Sequence, residues 1–221
     1  MPRRARIVVK GVAHHVVQRG NFRQNVFETF EEFRQYCYLI NEYQKQYGIE
    51  IICYCLMNNH VHFIVIPLSG ESLGKYFRTV HMRYSQFKNG IEKRKGHLWQ
   101  GRFFSSILDE NYLYKAIRYV ERNPVRAKMV AKPWDYCWSS ARARIGIDND
   151  QIIKINPVIF GNEMTSFEWK GFLMEQNESQ EANIRYNTEK GYVIGSENFI
   201  TQMETRLGNS LREKPPGRPK K

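Results

Sequence analysis

The stretch from Ile49 to Pro67 limits the possible folds more than any other part of the chain. Glu50–Leu56 and His60–Pro67 are two apolar runs, parted by the short polar or flexible segment Met57–His60. That spacing predicts a β-hairpin. In the second run, Phe63-Ile64-Val65-Ile66 is continuously apolar and buries its strand. Glu50, Asn58, Asn59, His60 and His62 interrupt the whole stretch, so it is not the ~20-residue apolar segment of a membrane helix.

The flanking patterns supply the rest of a sheet and its cover. His14–Gln18 is short and β-branched and reads as a first strand, ended by Arg19-Gly20-Asn21. Phe30, Phe33, Cys37, Ile40, Tyr43 and Tyr47 recur every three or four residues, the stripe of an amphipathic helix, with Gly48 as its stop. Leu73–Lys88 reads as a second helix, Arg102–Leu108 as a further strand, and Glu110–Asn123 as a third helix ended at Asn123-Pro124. This order predicts an α+β fold, an antiparallel sheet with helices packed on it, of the split βαβ kind.

The composition shifts after residue 146. The expected organisation is a compact domain over residues 1–146, a small, mostly helical extension over 147–211 and a disordered basic tail over 212–221. Within the extension, Phe167–Met174 and Phe199–Leu207 are amphipathic, whereas Glu175–Asn187 is polar and expected to be mobile. The tail contains Pro215, Pro216, Gly217 and Pro219 and is not expected to fold alone. The basic N-terminus has no apolar stretch behind it, so no secretory leader is expected and the protein is placed in the cytoplasm, associated with the nucleoid.

The formal charge of the 221 residues is +12. It lies in blocks over 75–102, 115–132 and 206–221, the first two interleaved with aromatic residues. Bases with aromatics suit a strand held by its phosphates and stacked through its bases, and the alternative is a merely solvated surface. Cys37, Cys53, Cys55 and Cys137 lack paired CxxC spacing, which argues against a structural zinc site.

His60 and His62 are two apart on one strand and face the same way, where they can share one divalent metal. Tyr119 and Asn123 are four apart and neighbours on one helical face. A phenol is a possible nucleophile and an amide oxygen a possible ligand to a hard metal. Nearby cations or a metal would favour the phenolate. By spacing alone, Tyr112 and Tyr114 compete with Tyr119.

Cys55-Leu56-Met57-Asn58-Asn59-His60-Val61-His62 resembles the His-hydrophobic-His signature of the HUH single-strand transposases. Tyr119-Val120-Glu121-Arg122-Asn123-Pro124-Val125-Arg126-Ala127 is similar to the tyrosine-bearing helix of their REP-associated tyrosine transposase branch. His15–Asn21, Leu98–Phe103, Trp134, Trp138, Ser139 and Ser140 also fit, so the resemblance spans about residues 5–145. That family usually has proline where Asn58 stands, and asparagine, a good turn residue, is expected to keep the hairpin.

The resemblance implies a ferredoxin-like α+β domain with a central antiparallel sheet flanked by helices, in which His60, His62 and Asn123 bind Mg²⁺ or Mn²⁺. It also implies that Tyr119 attacks the scissile phosphate of single-stranded DNA at REP-like hairpins, leaving a 5′-phosphotyrosine link and a free 3′-hydroxyl. The expected DNA-binding residues are Arg19, Arg78, Arg83, Trp99, Gln100, Arg102, Lys115, Arg118, Arg122 and Arg126, with Arg218 and Lys220 of the tail. For Trp99 the alternative is a packed tryptophan, and for the tail a solubilising role. Monomer and homodimer stay open. Rival readings are a DNA-binding regulator without cleavage and a zinc hydrolase using the histidines with Cys53 or Cys55.

Overall fold

The computed structural model describes residues 6–153 and 164–212. The first half runs β1 (His14–Arg19), α1 (Phe30–Gln46), β2 (Ile49–Met57), β3 (His60–Pro67), α2 (Ser72–Ile91), β4 (Phe104–Ile107) and α3 (Glu110–Glu121). The four strands form one sheet in the order β2-β3-β1-β4, every neighbouring pair antiparallel. This is the interlocked split βαβ arrangement that the sequence predicts.

Each element has a local cause. Thr29 and Glu32 close a capping box at the start of α1. Gly48 takes the left-handed conformation (φ +61°) that lets the chain turn from α1 into β2. Met57 pairs with His60, which leaves Asn58–Asn59 as a two-residue turn. The Asn58 carbonyl accepts the backbone N–H groups of Val26 and Phe27, so the turn is pinned without a proline.

Alternation along the strands divides the core in two. Val16, Leu56, Val61, Phe63 and Val65 pack against α1 and α2. Cys53, Cys55, Met57, Ile64 and Ile66 pack on the other face, against Leu113, Ile117 and Val120 of α3. A bulge between Ile51 and Cys53 shifts the register and places Ile52 and Cys53 on this same side. His60 and His62 alternate with Val61 and Phe63 and therefore open toward α3.

After α3 come α4 (Asn123–Arg126), α5 (Ala141–Arg144), α6 (Ser166–Met174), α7 (Glu178–Lys190) and α8 (Glu197–Leu207). Pro124 sits in the first turn of α4, where its missing N–H costs nothing, so the chain bends at Arg122 and continues helically. The expectation of a mobile segment over Glu175–Asn187 is corrected: most of it lies in α7, capped by Asn177 and by left-handed Gly191. Its polar sequence hid it, because only Ile184 and Thr188 are buried in that helix. The backbone at Ile194 hydrogen-bonds Ile107 and Asp109 and covers the free edge of β4. Residues 213–221, including Arg218 and Lys220, lie outside the described residues. Among the described residues no helix is long and apolar enough to cross a membrane.

Candidate active site

Residues remote in sequence converge between β1, β3, α3 and α7. His15, His60, His62, Tyr119, Asn123 and Arg126 line a cavity of about 170 Å³, together with Arg19, Arg185 and Thr188. A larger cavity of about 740 Å³ shares His60, Tyr119, Asn123, Arg126 and Arg185 as a wall. The His60 and His62 rings lie 4.9 Å apart between centroids, and the Tyr119 ring lies 5.8 Å from His62. Tyr119 and Asn123, one helical turn apart, both face this space.

The histidines are held as neutral rings. Burial lowers His60 to about 4 and His15 to about 3, and it carries His62 well below the usual imidazole value, helped by its His60 and His15 neighbours. Neutral imidazole is the metal-binding form. His60 Nδ1 lies 2.6 Å from Asn59 Oδ1, an acceptor, so it carries the proton and donates it. That leaves His60 Nε2 with a free lone pair. His62 Nδ1 shares a 3.1 Å hydrogen bond with His15 Nε2, and the two rings stack 5.3 Å apart. Each ring is thus fixed through one nitrogen and keeps the other for a ligand. The pair fits a divalent cation on that ground. Asn123 Nδ2 donates to the carbonyls of Tyr119 and Val120, and Asn123 Oδ1 accepts from Arg126 at 2.5 Å.

Tyr119 is nearly buried, and burial raises its phenol above the ordinary value. The Arg126 guanidinium, 4.0 Å over the ring, and Arg185 act in the opposite direction. The cations act as expected, toward the phenolate, and a larger desolvation effect outweighs them. The free chain therefore holds Tyr119 as a phenol.

The other expected DNA-binding residues separate into groups. Arg19, Gln100 and Arg102 gather at the end of β1, where the Gln100 backbone N–H donates to the Arg19 carbonyl. Gln100 and Arg102 are exposed. Arg78 and Arg83 are exposed on α2, in the layer on the opposite sheet face from α3. Lys115 is half-buried over the Tyr112 ring.

Three expectations are corrected. Trp99 is buried against Tyr36, His81 and Tyr84 and donates its indole N–H to the His81 carbonyl, so it is a packing residue. Arg118 is buried in contact with Glu175 and Gln180. Arg122 is buried and donates to the Leu173 carbonyl at 2.6 Å, with Glu181 3.8 Å away. Both arginines hold the C-terminal helices to the core, and Arg122 also lines the larger cavity.

His15, Arg185 and Thr188 are site residues that the sequence reading did not single out. His15 was discoverable, since it alternates with Val16, which packs into the α1–α2 core. Cys53 and Cys55 are buried in the apolar core, where desolvation raises both thiols. Among the described residues, the group of His, Cys, Asp and Glu side chains close enough to share a metal is Glu28, Glu32 and Glu92. These three carboxylates instead surround the buried Lys88 ammonium, at 3.1, 2.7 and 2.7 Å.

Residues 8–123 match the family model of IS200-like transposases. The chain belongs to that family. Among solved structures it is similar to a REP-associated tyrosine transposase bound to a REP hairpin, with 16% identity and a TM-score of 0.57 over 71% of this chain and 96% of that one. At this identity the likeness shows the shared fold. A protein of Deinococcus radiodurans R1 is 18% identical over 55% of this chain and 97% of its own, with a TM-score of 0.35. No curated protein matches in sequence.

Proposed function

We propose that this transposase cleaves and rejoins single-stranded DNA beside a REP-like hairpin, with Tyr119 as the nucleophile. The observation that carries the reading is the meeting of Tyr119, His60, His62 and Asn123 around one cavity. The Tyr119 Oη forms a bond to the scissile phosphorus. The bond from phosphorus to the 3′ oxygen breaks, and that oxygen leaves as a free 3′-hydroxyl with the proton. A phosphodiester is exchanged for another of similar energy, so the step is reversible and needs no nucleotide triphosphate.

His60 and His62 would hold Mg²⁺ or Mn²⁺ through the nitrogens their hydrogen bonds leave free, with Asn123 Oδ1 as a further ligand once Arg126 releases it. Such an ion polarises the phosphate and offsets the charge that develops on it. Arg126 lies over the nucleophile's ring, and its electrostatic pull favours the departing phenolic proton. The exposed groups at Gln100 and Arg102, beside Arg19, offer the hairpin's phosphates a landing surface close to the nucleophile. The solved neighbour of this fold was captured with a REP hairpin, which motivates the substrate choice.

The test is a labelled hairpin oligonucleotide with a single-stranded flank, incubated with the full chain and Mn²⁺. The expected result is a protein–DNA adduct stable to denaturant and a released fragment ending in a 3′-hydroxyl. Hairpin binding with no adduct under any divalent ion would leave a DNA-binding protein and refute the cleavage reading.

A further inference from the structure

The hydrogen bonds behind His62 continue beyond the part of the chain that the family model covers. Thr188 Oγ1 lies 2.8 Å from the Ile184 carbonyl and 2.7 Å from His15 Nδ1. A hydroxyl has one proton, and the carbonyl can only accept it. Thr188 Oγ1 must therefore accept from His15, which places the His15 proton on Nδ1. His15 Nε2 is then an acceptor, so the hydrogen bond it shares with His62 is donated by His62 Nδ1. The His62 proton is fixed on the nitrogen facing His15, and His62 Nε2 keeps its lone pair.

We propose that Thr188 is a positioning residue: through His15 it selects the His62 tautomer that can bind a divalent cation. Helix α7 thus acts on the metal site through His15, besides supplying Arg185 and Thr188 to the cavity wall. The inference rests on the proposed metal role of His62, and its readouts need neither DNA nor cleavage. In the full ¹⁵N-labelled chain without metal, long-range ¹H–¹⁵N spectra are expected to show His62 protonated at Nδ1. Thr188→Val keeps the shape and removes the acceptor, so it is expected to mix the His62 tautomers. It should also weaken Mn²⁺ binding by roughly ten-fold or more, the usual scale for losing such a partner. Thr188→Ser is expected to restore both. A wild-type His62 protonated at Nε2, or a Thr188→Val chain with unchanged tautomer and unchanged Mn²⁺ affinity, would overturn the proposal. A chain that binds Mn²⁺ as expected yet never cuts DNA would instead overturn the cleavage reading.

A separate observation lies at the other side of His60. Phe22 and Arg23 are consecutive residues with left-handed backbone (φ +51° and +60°), a conformation that strains a bulky side chain. The surroundings impose it. A Cβ on Gly20 would meet the Gln24 carbonyl oxygen at 2.3 Å, and the Gln24 side chain is anchored on the Leu98 carbonyl. Asn59, which orients His60, also donates to the Arg23 carbonyl. The result is an aromatic ring 93% exposed on a braced loop that is tied through Asn59 to His60.

We infer that Phe22 stacks on an unpaired nucleobase in the single-stranded flank of the substrate. This rests on the hairpin-cleavage reading. Phe22→Ala is expected to weaken binding of a flanked hairpin by roughly ten-fold, on the scale of one base–aromatic stack. Phe22→Trp should preserve that binding, and binding of a hairpin without a flank should not change. Equal affinity of the Ala variant for the flanked hairpin, or a change of oligomeric state on its substitution, would overturn this inference. Failure of the wild-type chain to bind either DNA would overturn the parent reading.

Discussion

The two faces of the sheet bury histidines for opposite ends. On the α1–α2 face, His81 is enclosed by aromatic rings, shares a 3.0 Å hydrogen bond with the Tyr36 hydroxyl and packs 4.6 Å from the Trp99 ring. On the α3 face, His15, His60 and His62 are equally protected from protonation, yet they line an open cavity with a tyrosine and several arginines. Desolvation is the leading cause of the lowered imidazole values on both faces. A depressed histidine is therefore no marker of function by itself. What separates the faces is that His60 and His62 line a cavity, each hydrogen-bonded through one nitrogen, whereas His81 is packed among aromatic rings.

The contrast can be broken at its strongest point by replacing both His60 and His62 with Ala. The expected outcome is loss of all Mn²⁺-dependent cleavage while circular dichroism and hairpin binding persist. Undiminished cutting would remove the metal proposal. The matching change on the other face, His81→Ala, should leave the metal dependence intact and cost stability instead. It opens a void in a packed core and strands the Tyr36 hydroxyl, a loss of about 2–4 kcal/mol by denaturant titration. A His81→Ala chain of wild-type stability would show that the two faces do not differ as described.

Acid sharpens the same comparison. Burial lowers His14 to about 4 and His81 to about 3, so the folded chain keeps them neutral where the unfolded chain takes up protons. The stability from these groups is fully present above the unfolded value of ~6.5. It is lost as pH falls toward 4 and below, by up to about 1.4 kcal/mol per pH unit for each ring. Thermal melts at low and neutral pH check the sign: a melting temperature that rises on acidification from 6.5 to 4 contradicts it.

The smallest expected effect is at the seam between core and extension. Glu181 lies 3.5 Å from Arg126 and 3.8 Å from Arg122. Glu181→Gln should loosen α7 by about 1 kcal/mol or less, seen as faster proteolysis within residues 175–190. Unchanged proteolysis would mean that Leu173 and Ile184 carry the docking alone.

The sequence revealed much of this because periodicity is a local signal. The hairpin, the shared face of His60 and His62 and the helix bearing Tyr119 all follow from spacing within a few residues. The parts it hid depend on distant partners. Arg118 and Arg122 read as a basic surface because Glu175 and Glu181 follow more than fifty residues later. Helix α7 looked like a mobile polar segment because it closes over a polar site and buries only Ile184 and Thr188. Trp99 is sealed by Tyr36, Tyr84 and His81, which no nearby pattern announces. The bulge at Ile51–Cys53 likewise changes which side chains share a face without any glycine or proline to mark it.

The central claim is that one phenol among several nearby is the nucleophile. Tyr112 and Tyr114 stand on the same helix as Tyr119, and only Tyr119 lines the histidine cavity. Trapping the adduct with a flanked hairpin and Mn²⁺, followed by proteolysis and peptide mass spectrometry, reads the attachment point directly. The account predicts a nucleotide mass on Tyr119 and no adduct from Tyr119→Phe. A nucleotide on Tyr112 or Tyr114, or a Tyr119→Phe chain that still cross-links, would contradict it.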